Sequence, residues 1–148
     1  MIYEFIHKRN VEFPDTDMAG IMHFSNYLRF MECTELEMYR SFELGLHEVG
    51  SDLEWGLPRV HAKADYVYPA RFNDCVEIQL LVEKIGKKSI TYTFKLRRDK
   101  DKQLLSTGKL VVVAVSTLKV SGKPSSIAIP DQLLKKITEA PVELLTEE

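Results

Sequence analysis

Between Ser25 and Leu44 the apolar residues recur at helical spacing, whereas the later hydrophobic runs alternate with period two, and this change of period limits the fold more than any other feature. Tyr27, Met31, Met38 and Phe42 fall on one face of the helical stretch, and Arg29, Glu32, Arg40 and Glu43 cluster roughly opposite, with Gly45 as the stop. About twenty residues at about 1.5 Å rise span roughly 30 Å, which makes the segment the element around which a sheet can fold.

Strands surround it in sequence. Val76, Ile78, Leu80 and Val82 share one face against Glu77, Gln79 and Glu83, and after Gly86-Lys87-Lys88 the alternation resumes with Ile90, Tyr92, Phe94 and Leu96, so the two runs predict an antiparallel hairpin. Ile2 to Val11 reads as a first strand, and Leu57 to Val67 as another, broken at Tyr68-Pro69-Ala70 because proline cannot donate to a ladder. Leu104 to Ser116, with its Leu-Val-Val-Val-Ala-Val centre, is expected mid-sheet with both faces buried. Leu46 to Trp55 is read as irregular or a short helix, Ser121 to Pro124 as a loop, and Ile127 to Ile129 as a short edge segment. A last helix is expected from Pro130-Asp131 to about Thr138. The acidic residues 139–148 are expected to fray, leaving one domain over residues 1–138. One helix, one strand before it and about four after it form an α+β order with the helix on one sheet face.

The stretch from Phe13 to Tyr27 carries the chemistry. Asp15 and Asp17 lie between Pro14 and Gly20, in a segment too rich in turn formers for regular structure, and the helix opens just beyond. The first turn of a helix leaves N–H groups unpaired and carries partial positive charge. A carboxylate beside such donors supplies the two parts of acyl transfer: a nucleophile or base, and a site for the developing oxyanion. A calcium loop is excluded, since its fifth and twelfth positions would be Ala19 and Asn26.

Asp15, Asp17, Gly20, Ile21, Met22, His23, Phe24 and Tyr27 together resemble the 4-hydroxybenzoyl-CoA thioesterase family of hotdog-fold enzymes. The turn Tyr68-Pro69-Ala70-Arg71-Phe72-Asn73-Asp74 and the strand order extend the likeness to about Ile137. The resemblance implies a sheet of about five antiparallel strands wrapped around one long helix, and acyl-CoA as substrate. It also implies a homodimer or homotetramer with sites between subunits, Asp17 as the catalytic acid and the N–H near Phe24 as oxyanion donor. By the same resemblance Lys84, Lys87 and Lys88, at the hairpin turn, would meet the CoA phosphates. His23, Tyr27, Gly20 and His61 are candidate substrate-lining residues, although packing or a buried structural histidine fits His23 and His61 as well. Glu35, on the flank of the apolar stripe, is the backup acid. The expected activity is hydrolysis of a small aromatic or short-to-medium-chain acyl-CoA, with a non-catalytic acyl-CoA-binding protein or a hotdog dehydratase as alternatives.

Composition narrows the rest. A chain of 148 residues, 45% hydrophobic, fits a single domain, and 20 basic against 22 acidic residues give no general attraction to nucleic acid or an anionic membrane. The four histidines share no ligand spacing and Cys33 and Cys75 belong to no metal or redox cluster, so neither metal nor cofactor is expected and both thiols read as buried. No run resembles a signal peptide or a membrane span, which fits a cytoplasmic protein.

Overall fold

The computed structural model describes residues 1–46, 53–117 and 125–146. Strand β1 (Glu4–Asn10) leads through a 3-10 turn (Phe13–Asp15) into helix α1 (Ser25–Ser41). Strands β2 (Trp55–Gly56), β3 (Arg59–Tyr66), β4 (Cys75–Ile85), β5 (Ser89–Arg98), β6 (Leu104–Val113) and β7 (Val115–Ser116) follow, then α2 (Asp131–Leu134) and α3 (Val142–Thr146). The main sheet is antiparallel with the order β1-β4-β5-β6-β3, and β2 pairs with β7 separately. Five antiparallel strands against one helix are the α+β arrangement that the periodicities predict.

Helix α1 is shorter than its hydrophobic period: 17 residues rather than about twenty. The chain leaves the helix after Phe42, and Glu43 and Gly45 take positive φ of 58° and 69°. Its buried face is also broader than the apolar stripe, because Phe30, Thr34, Glu35 and Tyr39 are buried beside Tyr27, Met31 and Met38 while Phe42 is half-buried. This face lies on the side of the sheet formed by Val76, Ile78, Leu80, Val82, Ile90, Tyr92, Phe94 and Leu96, all fully buried. Each such side chain contributes about 1.5–3 kcal/mol of transfer free energy. Gly108, inside β6, sets how closely helix and sheet approach: a Cβ there would stand 2.2 Å from Met31 Cε and 2.8 Å from the Lys63 carbonyl oxygen.

Strand β6 does lie inside the sheet, but its burial is one-sided. Leu110 and Val112 are buried while Val111 and Val113 are half-buried, since α1 covers only one face. β3 is one of the two outer strands, with Val60 and Tyr66 exposed and Val67 and Tyr68 exposed just after it. Its outer edge pairs with no strand among the described residues.

The acidic end does not fray as expected through residue 146. Ala140 N–H bonds to the Val82 carbonyl at 2.7 Å, and Lys95, buried, donates from Nζ to the Leu144 carbonyl at 3.0 Å, so α3 is docked on the sheet. Both thiols, expected to be buried, are half-buried, and Arg9 Nη1 donates to Cys33 Sγ at 2.6 Å. The loop Ser121 to Pro124 and residues 47–52, with His47, lie outside the described residues. Among those described, no helix is long and apolar enough to cross a membrane.

Candidate active site

The loop between β1 and α1 is shaped by short-range hydrogen bonds. Asp15 is buried, and its Oδ2 accepts the Glu12 N–H at 2.9 Å. Its carbonyl accepts the His23 N–H and Asn26 Nδ2, each at 2.8 Å, so Asp15 closes the loop onto the helix start. Asp17 is held differently. Its Oδ1 accepts the Ala19 N–H at 2.8 Å in an Asx turn, and its carbonyl accepts the Gly20 N–H at 3.0 Å. Gly20 closes that turn with a φ of 80°, a conformation costly for other residues. Asp17 Oδ2 bonds to nothing among the described residues, and the side chain is half-buried.

Phe24 caps α1 without a side-chain bond. The Ser25 N–H goes to His23 Nδ1 at 3.2 Å and the Asn26 N–H to the His23 carbonyl at 2.9 Å. Of these first donors, only the Phe24 N–H has no partner among the described residues. His23 therefore caps the helix rather than orienting Asp17.

Two cavities meet at Asp17, which lines both. The larger, about 790 Å³, is bounded by the Phe13 and Phe72 rings, Gly20, His23, Asn26 and Arg29. The smaller, about 340 Å³, is walled by Ile21, Met22, Phe24, Tyr27, Tyr66 and Tyr68. Tyr27 is buried and its oxygen accepts the Ala70 N–H at 3.1 Å; burial raises its pKa. Tyr66 donates to the Phe24 carbonyl at 3.0 Å, and the two tyrosine rings meet edge-on with centroids 5.0 Å apart. Both hydroxyls are thus turned to backbone, and the cavity presents ring carbon. The turn after Pro69 reaches this site through the Met22 N–H bonded to the Ala70 carbonyl at 2.8 Å and an antiparallel bridge between Ile21 and Arg71.

Gly20, His23, Phe24 and Tyr27 therefore gather around Asp17, and other candidates do not. His61 is exposed on β3, most of whose side chains are exposed, and it lines neither cavity. Lys84, Lys87 and Lys88 are exposed at the far end of β4. Asn10, just before the Asp loop, pairs with Cys75 at the start of that strand. Its eleven residues at about 3.3 Å each place roughly 35 Å of strand between loop and lysines.

Glu35 is fully buried away from both cavities. Its Oε1 accepts from Arg59 Nε at 3.0 Å and its Oε2 from the Tyr39 hydroxyl at 2.6 Å, with the Tyr92 hydroxyl 3.0 Å beyond. Burial raises the Glu35 pKa against the opposing pull of Arg59, and the same burial holds both phenols protonated. Asn26, Arg29, Phe13, Phe72, Tyr66 and Tyr68 are among the lining residues that sequence reasoning did not name for the site. The helical i,i+3 spacing of Asn26 and Arg29, and the turn that contains Tyr68 and Phe72, were the signals on offer.

A family model described as the thioesterase-like superfamily matches residues 11–141. A 1,4-dihydroxy-2-naphthoyl-CoA hydrolase from Prochlorococcus marinus (strain NATL2A) is 32% identical over 99 residues, 62% of this chain and 64% of that protein. The chain thus spans less than two thirds of that relative. The crystal structure of a 1,4-dihydroxy-2-naphthoyl-CoA thioesterase from Synechocystis superposes with a TM-score of 0.81 at 23% identity, covering 90% of this chain and 95% of the other. A mutant 4-hydroxybenzoyl-CoA thioesterase complexed with 4-hydroxybenzoyl-CoA superposes with a TM-score of 0.79 at 20% identity, over 92% and 99% of the two chains. With the family match running from the end of β1 to the start of α3, and five antiparallel strands wrapped on one helix, the chain belongs to the thioesterase-like superfamily and has its hotdog fold.

Proposed function

We propose that the protein hydrolyses an acyl-CoA bearing a small aromatic or short-to-medium acyl group to free acid and CoA. One observation carries the reading: Asp17 lines both cavities, with one carboxylate oxygen tied to Ala19 and the other unbonded among the described residues, beside a helix start whose Phe24 N–H is likewise unpaired among them. An acyl group in the aromatic cavity and its carrier arm in the polar one bring the thioester carbonyl to Asp17. The carboxylate then adds to the carbonyl carbon, or takes a proton from a water that does so. The tetrahedral oxyanion is met by the Phe24 N–H, and its collapse breaks the C–S bond, the sulfur leaving as thiol with a proton from water, by way of Asp17 on the general-base route; on the nucleophilic route a second water hydrolyses the mixed anhydride left on Asp17 to the free acid and the restored carboxylate. The rings of Phe24, Tyr27, Tyr66 and Tyr68 favour a flat acyl group, in keeping with the aromatic substrates in the names of the relatives above.

The working unit is a homodimer or homotetramer. β3 offers an edge that pairs with no strand among the described residues, flanked by exposed Val60, Tyr66, Val67 and Tyr68, which a second copy would cover.

The test is Asp17→Asn assayed with benzoyl-, hydroxynaphthoyl-, short-chain and long-chain acyl-CoA. We expect kcat to fall by at least roughly a hundredfold, the lower end for general-base catalysis. Asp15→Asn keeps an acceptor for the Glu12 N–H, so it should cost about 1 kcal/mol or less of stability and leave most of the rate. Near wild-type turnover by Asp17→Asn would overturn the assignment.

A further inference from the structure

The larger cavity holds a positive charge that no ion pair among the described residues neutralises. Arg29 is exposed on the second turn of α1, and its one hydrogen bond among the described residues is from Nη1 to Asn26 Oδ1 at 3.1 Å. It makes no ion pair there, although several other arginines do: Arg59 pairs with Glu35, Arg98 with Asp74 and Arg40 with Glu37. Asn26 is only 6% exposed, and its Nδ2 is fixed on the Asp15 carbonyl. The amide oxygen is therefore aimed by the loop that also positions Asp17, and it holds the guanidinium over the cavity. Among the described residues Asp17 is the one acid in that lining, and Arg29 the one arginine or lysine. The cavity is thus polarised, with a carboxylate at its junction with the acyl pocket and a cation on its wall. The exposed rings of Phe13 and Phe72 meet edge-on, centroids 6.1 Å apart, and give the cavity an apolar flank.

We propose that Arg29 receives a phosphate of the substrate's carrier arm, the arm running through this cavity past Phe13 and Phe72; this rests on the thioesterase reading above. A guanidinium presents several N–H donors in a fork that fits phosphate oxygens, and only one is engaged by Asn26. The shared ligand chemistry is a phosphorylated pantetheine thioester, which can come from CoA or from an acyl carrier protein. This places an anion contact on the helix that begins at the Asp loop, within the same protomer as Asp17 and independent of the lysines at the far end of β4.

The experiment compares one acyl group on three carriers, CoA, acyl carrier protein and N-acetylcysteamine, the last without phosphate, in wild type, Arg29→Gln and Arg29→Lys. We expect Arg29→Gln to lower the ratio of kcat/KM for the CoA thioester to that for the N-acetylcysteamine thioester by at least tenfold, through KM, with partial recovery in Arg29→Lys. An equal loss on CoA and carrier protein assigns the contact to the phosphate both share; a loss on CoA alone assigns it to the further phosphates of CoA. An unchanged ratio overturns the proposal. Titration calorimetry with CoA itself separates this from failure of the thioesterase reading. If wild type hydrolyses none of the thioesters, a tenfold or greater loss of CoA affinity in Arg29→Gln still upholds the phosphate contact, and equal affinity, or no binding to either protein, sinks it.

Discussion

The hydroxyl of Tyr66, on the outer strand β3, donates to the carbonyl of Phe24 at 3.0 Å, across 42 positions of sequence. The bond ties a sheet edge to the residue whose N–H is, among the described residues, the unpaired donor at the helix start. Tyr66 is half exposed, so the fold depends on this bond little and the placement of Phe24 depends on it more. Tyr66→Phe keeps the ring contact with Tyr27 and removes only the donor. A lost hydrogen bond of about 0.5–1.5 kcal/mol corresponds to roughly a two- to tenfold fall in kcat, with KM nearly constant and the melting temperature little changed. Equal kcat for the two proteins would show that Phe24 is held without Tyr66.

Glu35 makes stability depend on pH in a direction opposite to that of a surface ion pair. Burial outweighs Arg59 and raises its folded-state pKa above the usual glutamate value, so the native state holds the proton more tightly than the unfolded chain does. The stabilising contribution is fully present below the ordinary glutamate pKa and is lost as pH rises through the raised value. Urea unfolding of wild type and Glu35→Gln across that window should show wild type losing its relative advantage as pH rises. Glu35→Ala, which leaves Arg59 and Tyr39 without their acceptor, should cost about 3–5 kcal/mol.

The distance along β4 has a consequence for the lysines of the hairpin. If Lys87 and Lys88 meet CoA phosphates at all, they do so at the Asp17 site of another copy. The double change to Ala should then raise KM with kcat nearly unchanged. Mixing that variant with Asp17→Asn under subunit exchange should restore some turnover at wild-type KM, because mixed assemblies contain one site with both parts intact. No restoration, despite exchange shown by light scattering of tagged protomers, would remove the lysines from the site.

Gly108 is the point where helix and sheet share one volume. Gly108→Ala drives a methyl into the Met31 thioether and against the Lys63 carbonyl. Met31 can move but the strand backbone cannot, so overpacking should cost about 1–3 kcal/mol. The double variant Gly108→Ala, Met31→Ala should remain less stable than wild type in thermal unfolding.

The elements were legible where the physics is local. The alternation at Val76 to Val82 and Ile90 to Leu96 placed two strands and their shared face, and the Asp15 to Gly20 turn placed the acid on a loop before a helix. Glu35 could not be read, because what buries it is Arg59 and two tyrosines from other elements, and a glutamate on a helix flank carries no mark of that. Tyr66 and Phe72 reach the site only after the β3 edge and the turn beyond Pro69 have folded onto the Asp loop. Residues 139–146 looked like a solvated tail because composition records their charge and not the Val82 carbonyl and the Lys95 ammonium that receive them. For His61, alternation assigns a face of the strand but not whether that face is covered, and here it is exposed.

The meeting of two cavities at a single carboxylate bears on what happens after bond cleavage. On the thioesterase reading proposed above, acid and thiol are then left in different cavities, so neither is expected to wait for the other to depart. Release should then follow no compulsory order, with the two products able to occupy the enzyme together. In a double-inhibition experiment with CoA and the free acid, the lines of reciprocal rate against one inhibitor at fixed levels of the other should intersect rather than run parallel.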